Sequence, residues 1–213
     1  MSILSSYKTA LVFAPHTDDG EFGCGGTINR MVCAGVDVHY AAFSACQQSV
    51  LSQFPPDILV TEVKAATKQL GVKEENVVLF DFEVRKFNYQ RQAILDRVLE
   101  LKNRLRPDVV FVPCVHDIHQ DHSTLSNEVV RAFKFSSIFC YELPWNNFTF
   151  TTDCFIELEI GHLNAKIKAL SEYKSQVHRP YANEEFVRSL ALIRGIQSSL
   201  PFAEAFEIKR LIL

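Results

Sequence analysis

The chain reads Thr9-Ala10-Leu11-Val12-Phe13-Ala14, then Pro15-His16-Thr17-Asp18-Asp19-Gly20-Glu21, then Phe22-Gly23-Cys24-Gly25-Gly26. Thr9 to Ala14 is a short β-favouring apolar run closed by proline, which predicts a buried strand. A histidine and two adjacent carboxylates therefore stand just past the carboxyl end of a first strand. Open α/β sheets bind their ligands there. His16 and Asp19 offer an imidazole nitrogen and a carboxylate oxygen, a donor pair suited to a divalent metal. Asp18 is left beside such a metal, free to act as a base. Taken alone, the stretch reads equally well as an Asp-Asp-Gly turn.

Outward from this stretch, Ile28, Met31 and Val32 fall at helical spacing, so Thr27 to Ala34 is expected to be a helix capped by Gly35. Val36 to Phe43 reads as a second strand. Strand, helix and strand in this order imply a parallel pair with a right-handed crossover. Polar Ser44 to Pro56 is expected to form a rim loop. Helices are expected over Leu59 to Leu70, Tyr89 to Leu105, Ser123 to Phe135, Leu163 to Tyr173 and Glu185 to Ile196. Strands are expected over Val77 to Phe80, Val109 to Val112, Ser137 to Tyr141 and Thr151 to Glu159, with Ala205 to Leu213 as a closing edge strand. The alternation predicts the α/β class: a single-domain Rossmann-like sandwich over residues 1–213, with a mostly parallel sheet and helices on both faces.

The 213 residues are 47% hydrophobic and 22% charged, enough for a substantial core. A net charge of −3 with both signs interspersed gives no footprint for nucleic acid or an anionic membrane. No apolar run approaches the ~20 residues of a membrane span, and Met1 to Lys8 lacks the order of a signal peptide. The six cysteines include no Cys-x-x-Cys pair. They are expected to be reduced core thiols, consistent with a cytoplasmic protein.

A second cluster, His119-Gln120-Asp121-His122, falls at the end of the fourth expected strand and the start of a helix. Two strand ends of one parallel sheet can open on the same rim, so His122 can complete a His16/Asp19/His122 site. Three protein ligands with one position left for water is the pattern of catalytic zinc. Fe²⁺ or Mn²⁺ would also suit such N/O donors. His119 would stand beside the metal. Asp121 is expected either to orient His119 or His122 or to cap the helix, and His116 and Asp117 to be loop residues.

In these residues the sequence resembles the LmbE/PIG-L family of metal-dependent N-deacetylases. His16-Thr17-Asp18-Asp19 with Gly23-Cys24-Gly25-Gly26 matches the first family motif, His-Pro-Asp-Asp and its glycine-rich continuation. His119-Gln120-Asp121-His122 matches the second, His-x-Asp-His. The resemblance implies zinc at His16, Asp19 and His122, Asp18 as general base, and His119 for proton donation or oxyanion stabilisation. It implies removal of an N-acyl group, acetyl by preference, from an amino sugar or its conjugate as a small-molecule substrate. Thr17 replaces the usual proline, and Glu21 follows Gly20 instead of the aspartates. An arginine that some members carry near the start of the helix after the long rim loop is absent around Leu59 to Glu62, which leaves Arg85 and Arg179 for its place.

Arg85, Glu142, Trp145, Arg179 and Tyr181 are further rim candidates for a phosphate or a sugar, each with an ordinary loop or packing role as its alternative. Two other readings compete for the whole. A non-catalytic Rossmann-like module binding a nucleotide or sugar predicts no bound metal. A metal-dependent phosphoesterase commonly needs a second metal and more carboxylates at strand ends.

Overall fold

In the computed structural model, which describes residues 3–212, seven strands form one sheet in the order β3-β2-β1-β4-β5-β7-β6. Strands β1 (Thr9–His16), β2 (Asp37–Ser44), β3 (Val77–Leu79), β4 (Val109–Pro113) and β5 (Ser137–Tyr141) run parallel. β7 (Ala203–Arg210) is antiparallel to both β5 and β6 (Cys154–Glu157). The helices are α1 (Asp19–Cys33), α2 (Ile58–Gln69), α3 (Arg91–Leu105), α4 (Gln120–Ala132), α5 (Ile160–Ser171) and α6 (Glu184–Ser198).

The strand β1 shows why this sequence makes a central strand. Ala10, Val12 and Ala14 pack into one apolar cluster with α1, α2 and α5, whereas Leu11 and Phe13 pack into another with α3 and α4. A strand buried on both faces needs an unbroken apolar run. The chain steps outward from β1 to β3 and then resumes at β4 on the other side of β1. That reversal opens a crevice beyond the carboxyl ends of β1 and β4, the usual ligand position of such sheets.

Two expectations are corrected. The first helix begins at Asp19 instead of Thr27, because its glycines are contact points and not a turn. A Cβ on Gly23 would lie 2.1 Å from the Tyr141 ring, and one on Gly20 would lie 2.5 Å from Tyr40. Glycine lets the helix rest on the sheet. The last strand is not the edge: β7 sits between β5 and β6, and β6 is outermost. Ala203 to Glu207 are buried, which suits an interior position; Leu213, placed in that strand by sequence, lies outside the described residues.

α1 leaves helical geometry at Cys24 (φ −144°, ψ 25°). Around this kink Lys166 Nζ donates to the Phe22 carbonyl at 2.6 Å, and the Gly26 and Thr27 amides donate to Glu204 at 3.0 and 2.7 Å. Lys166 and Glu204 also pair with each other at 2.7 Å, both buried. Removing one partner of a buried pair strands the other charge. Glu204→Ala is therefore expected to lower unfolding stability by about 3–5 kcal/mol in urea titrations; a loss below about 1 kcal/mol would show the pair to be idle. All six cysteines are free. Among the described residues no helix is long and apolar enough to cross a membrane.

Candidate active site

The crevice is a cavity of about 240 Å³ lined by His16, Asp18, Asp19, His119 and His122, together with Arg85, Trp145, Arg179 and Tyr181. β1 delivers His16, the first turn of α1 delivers Asp19, and α4 delivers His122, with His119 as its N-cap. The two motifs, a hundred residues apart, thus meet on one rim.

Three donor atoms face one another at its floor. His16 Nδ1 lies 3.2 Å from Asp19 Oδ2, His122 Nε2 lies 3.2 Å from the same oxygen, and the two ring nitrogens are 3.1 Å apart. The outer nitrogens are committed elsewhere: His16 Nε2 to Asp121 at 3.1 Å and His122 Nδ1 to Asp117 at 2.8 Å. A carboxylate partner holds the ring proton on the outer nitrogen, so the inner nitrogens and Asp19 Oδ2 are three acceptors in mutual contact. Such a triangle requires a shared positive charge. Burial opposes charging His122, yet the Asp19 carboxylate and the bonds to Asp117 and Asp19 outweigh it and raise its pKa to about 10. Burial also opposes charging His16, and Asp19 and Asp121 overcome it there, raising that pKa. Asp19 is held well below the usual carboxylate range by the two histidines, against its own burial. Tetrahedral coordination at ~2.0–2.1 Å would set the donors about 3.3 Å apart, so the residues present fit a divalent metal. His119 adds a further ring nitrogen: those of His16, His119 and His122 lie within 4.8 Å of one another.

Asp18 stands half-buried beside this centre. Burial, aided by the Asp19 charge, raises its pKa to about 6, while Arg179 and His16 pull it down. His119 is shifted the other way, to about 4, by burial and the neighbouring charges of His122 and His16. Its Nδ1 accepts the Asp121 amide at 3.2 Å, which leaves its proton on Nε2.

The surrounding residues differ from their sequence-based roles. Asp121 does not cap α4, and it orients neither His119 nor His122 through its side chain. Its Oδ2 instead accepts from His16 and from the Arg85 amide at 2.5 Å, and its Oδ1 accepts from the Phe87 amide at 3.2 Å. Asp117 lies in the loop between β4 and α4, as expected, but it is 4% exposed, holds His122 and accepts the His119 amide at 2.8 Å. Sequence gives no sign of this, since only the turn of chain before α4 brings it under His122. Glu21 lies below the cavity, where Tyr173 donates to it at 2.9 Å and Tyr40 also binds it. Both hydroxyls also lie within hydrogen-bond distance of the Thr17 carbonyl, 2.9 Å from Tyr40 and 2.7 Å from Tyr173, and so each shares its one proton between Glu21 and the loop carrying Asp18. Glu142 is taken up by Arg194, at 2.7 and 2.6 Å, and is not available to a sugar. Trp145 stacks on Tyr181 (3.7 Å, 4°) as one wall of the cavity.

Residues 11–133, more than half of the chain, match the family described as PIG-L: GlcNAc-PI de-N-acetylase. The chain belongs to this family. A probable N-acetyl-alpha-D-glucosaminyl L-malate deacetylase 2 of Bacillus cereus is 29% identical over 59% of the chain; the match spans only 60% of that relative. The diacetylchitobiose deacetylase of Thermococcus kodakarensis is 23% identical over 92% of the chain and 81% of its own length. A conserved protein of Thermus thermophilus shares the fold with a TM-score of 0.78, at 26% identity over 96% of this chain and 95% of that one. These two curated relatives are thus named as deacetylases of N-acetylated sugars, and the structural neighbours include both deacetylases and a hydratase.

Proposed function

We propose that this chain removes an N-acetyl group from an amino sugar or its conjugate by metal-dependent hydrolysis. The observation that carries the proposal is the triangle of His16 Nδ1, Asp19 Oδ2 and His122 Nε2, with Asp18 beside it in one cavity. We assign these three as the ligands. Their spacing of 3.1–3.2 Å suits one ion, and His119 has its Nδ1 engaged by a backbone amide. Zinc is the expected metal, and Fe²⁺ or Mn²⁺ would suit the same donors. A divalent ion held there supplies a Lewis acid and a water whose pKa falls from ~15.7 to ~7.

Asp18, with a pKa of about 6, is ionised at neutral pH and takes the proton of the attacking water. His119, neutral and protonated on Nε2, donates a hydrogen bond to the oxygen that gains charge as the carbonyl becomes tetrahedral. Of the two roles that the resemblance implies for His119, its low pKa favours oxyanion stabilisation over proton donation. Asp18 therefore passes its proton to the leaving nitrogen as the C–N bond breaks, giving acetate and the free amine. Asp117 and Asp121 hold the histidine rings in register throughout.

Elemental analysis combined with acetate release from a panel of N-acetylated sugars tests this reading. About one metal ion per chain with chelator-sensitive acetate release is expected. A protein that stays metal-free after reconstitution would favour the binding module. Phosphate release without acetate would favour the phosphoesterase.

A further inference from the structure

Asp18 is the N-cap residue of α1, yet its side chain makes no capping bond. How it points into the cavity therefore depends on the backbone that carries it. On one side its carbonyl accepts the Phe22 amide at 3.1 Å, which ties it to α1. On the other it shares a peptide unit with the Thr17 carbonyl, and such a unit is planar and turns as one body. Thr17 stands where the motif has proline, so no ring fixes φ at that point of the turn.

The Thr17 carbonyl is approached from two distant parts of the chain. Tyr40 of β2 brings its hydroxyl to 2.9 Å from the oxygen, and Tyr173, just past α5, brings its own to 2.7 Å. A carbonyl oxygen has two lone pairs, enough for both. Glu21 bridges the same two hydroxyls, at 2.9 Å from Tyr173 and in contact with Tyr40. The Gly20 amide donates to the Tyr40 oxygen at 3.2 Å, an approach that a Cβ at Gly20 would block. Glu21, Tyr40 and Tyr173 are all buried. Enclosing a carboxyl and two hydroxyls is costly unless each is bonded. The bonds that satisfy these three converge on the one peptide unit that carries Asp18.

We propose that Tyr40 and Tyr173 are positioning residues for Asp18. Their hydroxyls set the peptide plane between Thr17 and Asp18 from which the base reaches the cavity, and Glu21 keeps the two rings in register. The inference rests on the deacetylase reading for its effect on turnover and on the hydroxyl geometry for the hold on the turn.

Tyr40→Phe, Tyr173→Phe and the double variant test this in the metal-loaded protein, with the N-acetylated sugar that the parent turns over fastest. Each single change is expected to lower kcat by roughly 3- to 10-fold, the worth of one hydrogen bond. The double change releases the peptide unit and should lower kcat by roughly 100-fold, as for a misplaced catalytic group. KM and metal content should stay within about twofold, since the substrate and metal contacts are untouched. Hydrogen exchange read by mass spectrometry should show residues 14–22 exchanging faster in the double variant. Tyr141→Phe is the control. It deletes an equally buried hydroxyl that donates to the Phe13 carbonyl at 2.9 Å, in β1 and not in the turn, and should keep parental kcat. Parental kcat in the double variant, or an equal kcat loss in Tyr141→Phe, would overturn the proposal, as would metal loss in step with turnover. If the double variant does not fold, the two single variants decide by the same criteria. Faster exchange over residues 14–22 in the variants, with no acetate release by the parent, would keep the hold on the turn and overturn the deacetylase reading.

Discussion

Asp18→Ala is expected to keep its metal and lose turnover by roughly 10²–10⁴-fold, the range of a positioned general base. Asp18 offers no atom to the His16/Asp19/His122 triangle, so its removal should leave metal content by elemental analysis unchanged. In the mechanism above it handles the proton twice, from water and then to the amine, and the effect should fall on kcat. Its pKa of about 6 sets the sign of the pH dependence. The ionised form is the active one, so kcat/KM should be full above that value and fall tenfold per pH unit below it. A cation in the triangle favours the carboxylate, which places the midpoint at or below about 6. Turnover of Asp18→Ala within threefold of the parent would remove Asp18 as the base.

His122→Ala should cost the metal itself. It deletes one of three donors and leaves Asp117, 2.8 Å from the lost ring nitrogen and buried, without that partner. Asp117→Ala provides the internal scale: it spares every ligand but frees the His122 ring, and such partners are typically worth roughly 10- to 100-fold in metal affinity. Competition titration with a chromophoric chelator should show a larger loss for His122→Ala than for Asp117→Ala. Parent-like affinity in His122→Ala would sink the ligand assignment, and His16/His119 together with another donor would then be sought.

The alternation of strand and helix, the apolar run of β1 and both acid/histidine motifs at strand ends were legible from sequence because each is local. Periodicity and motif spacing need only a dozen residues. A β–α rhythm then leaves few topologies, and all of them send the ends of the parallel strands to one rim. Hence His16, Asp18, Asp19, His119 and His122 could be named before any coordinate. Only the tertiary structure decided what those residues lean on. Asp117 under His122, Asp121 shared by His16 and the Arg85 amide, and Glu142 closed off by Arg194 are pairings across 5, 105, 36 and 52 residues. A carboxylate's sequence neighbours do not reveal which of these it meets. The same holds for Gly20, read locally as part of a turn, and for Gly23: both lie in a helix packed so close to Tyr40 and Tyr141 that a Cβ would not fit. It holds for β7, whose place inside the sheet follows from burial on packing. Local chemistry marks out the proposed reacting groups, and long-range packing sets their electrostatic surroundings and their orientation.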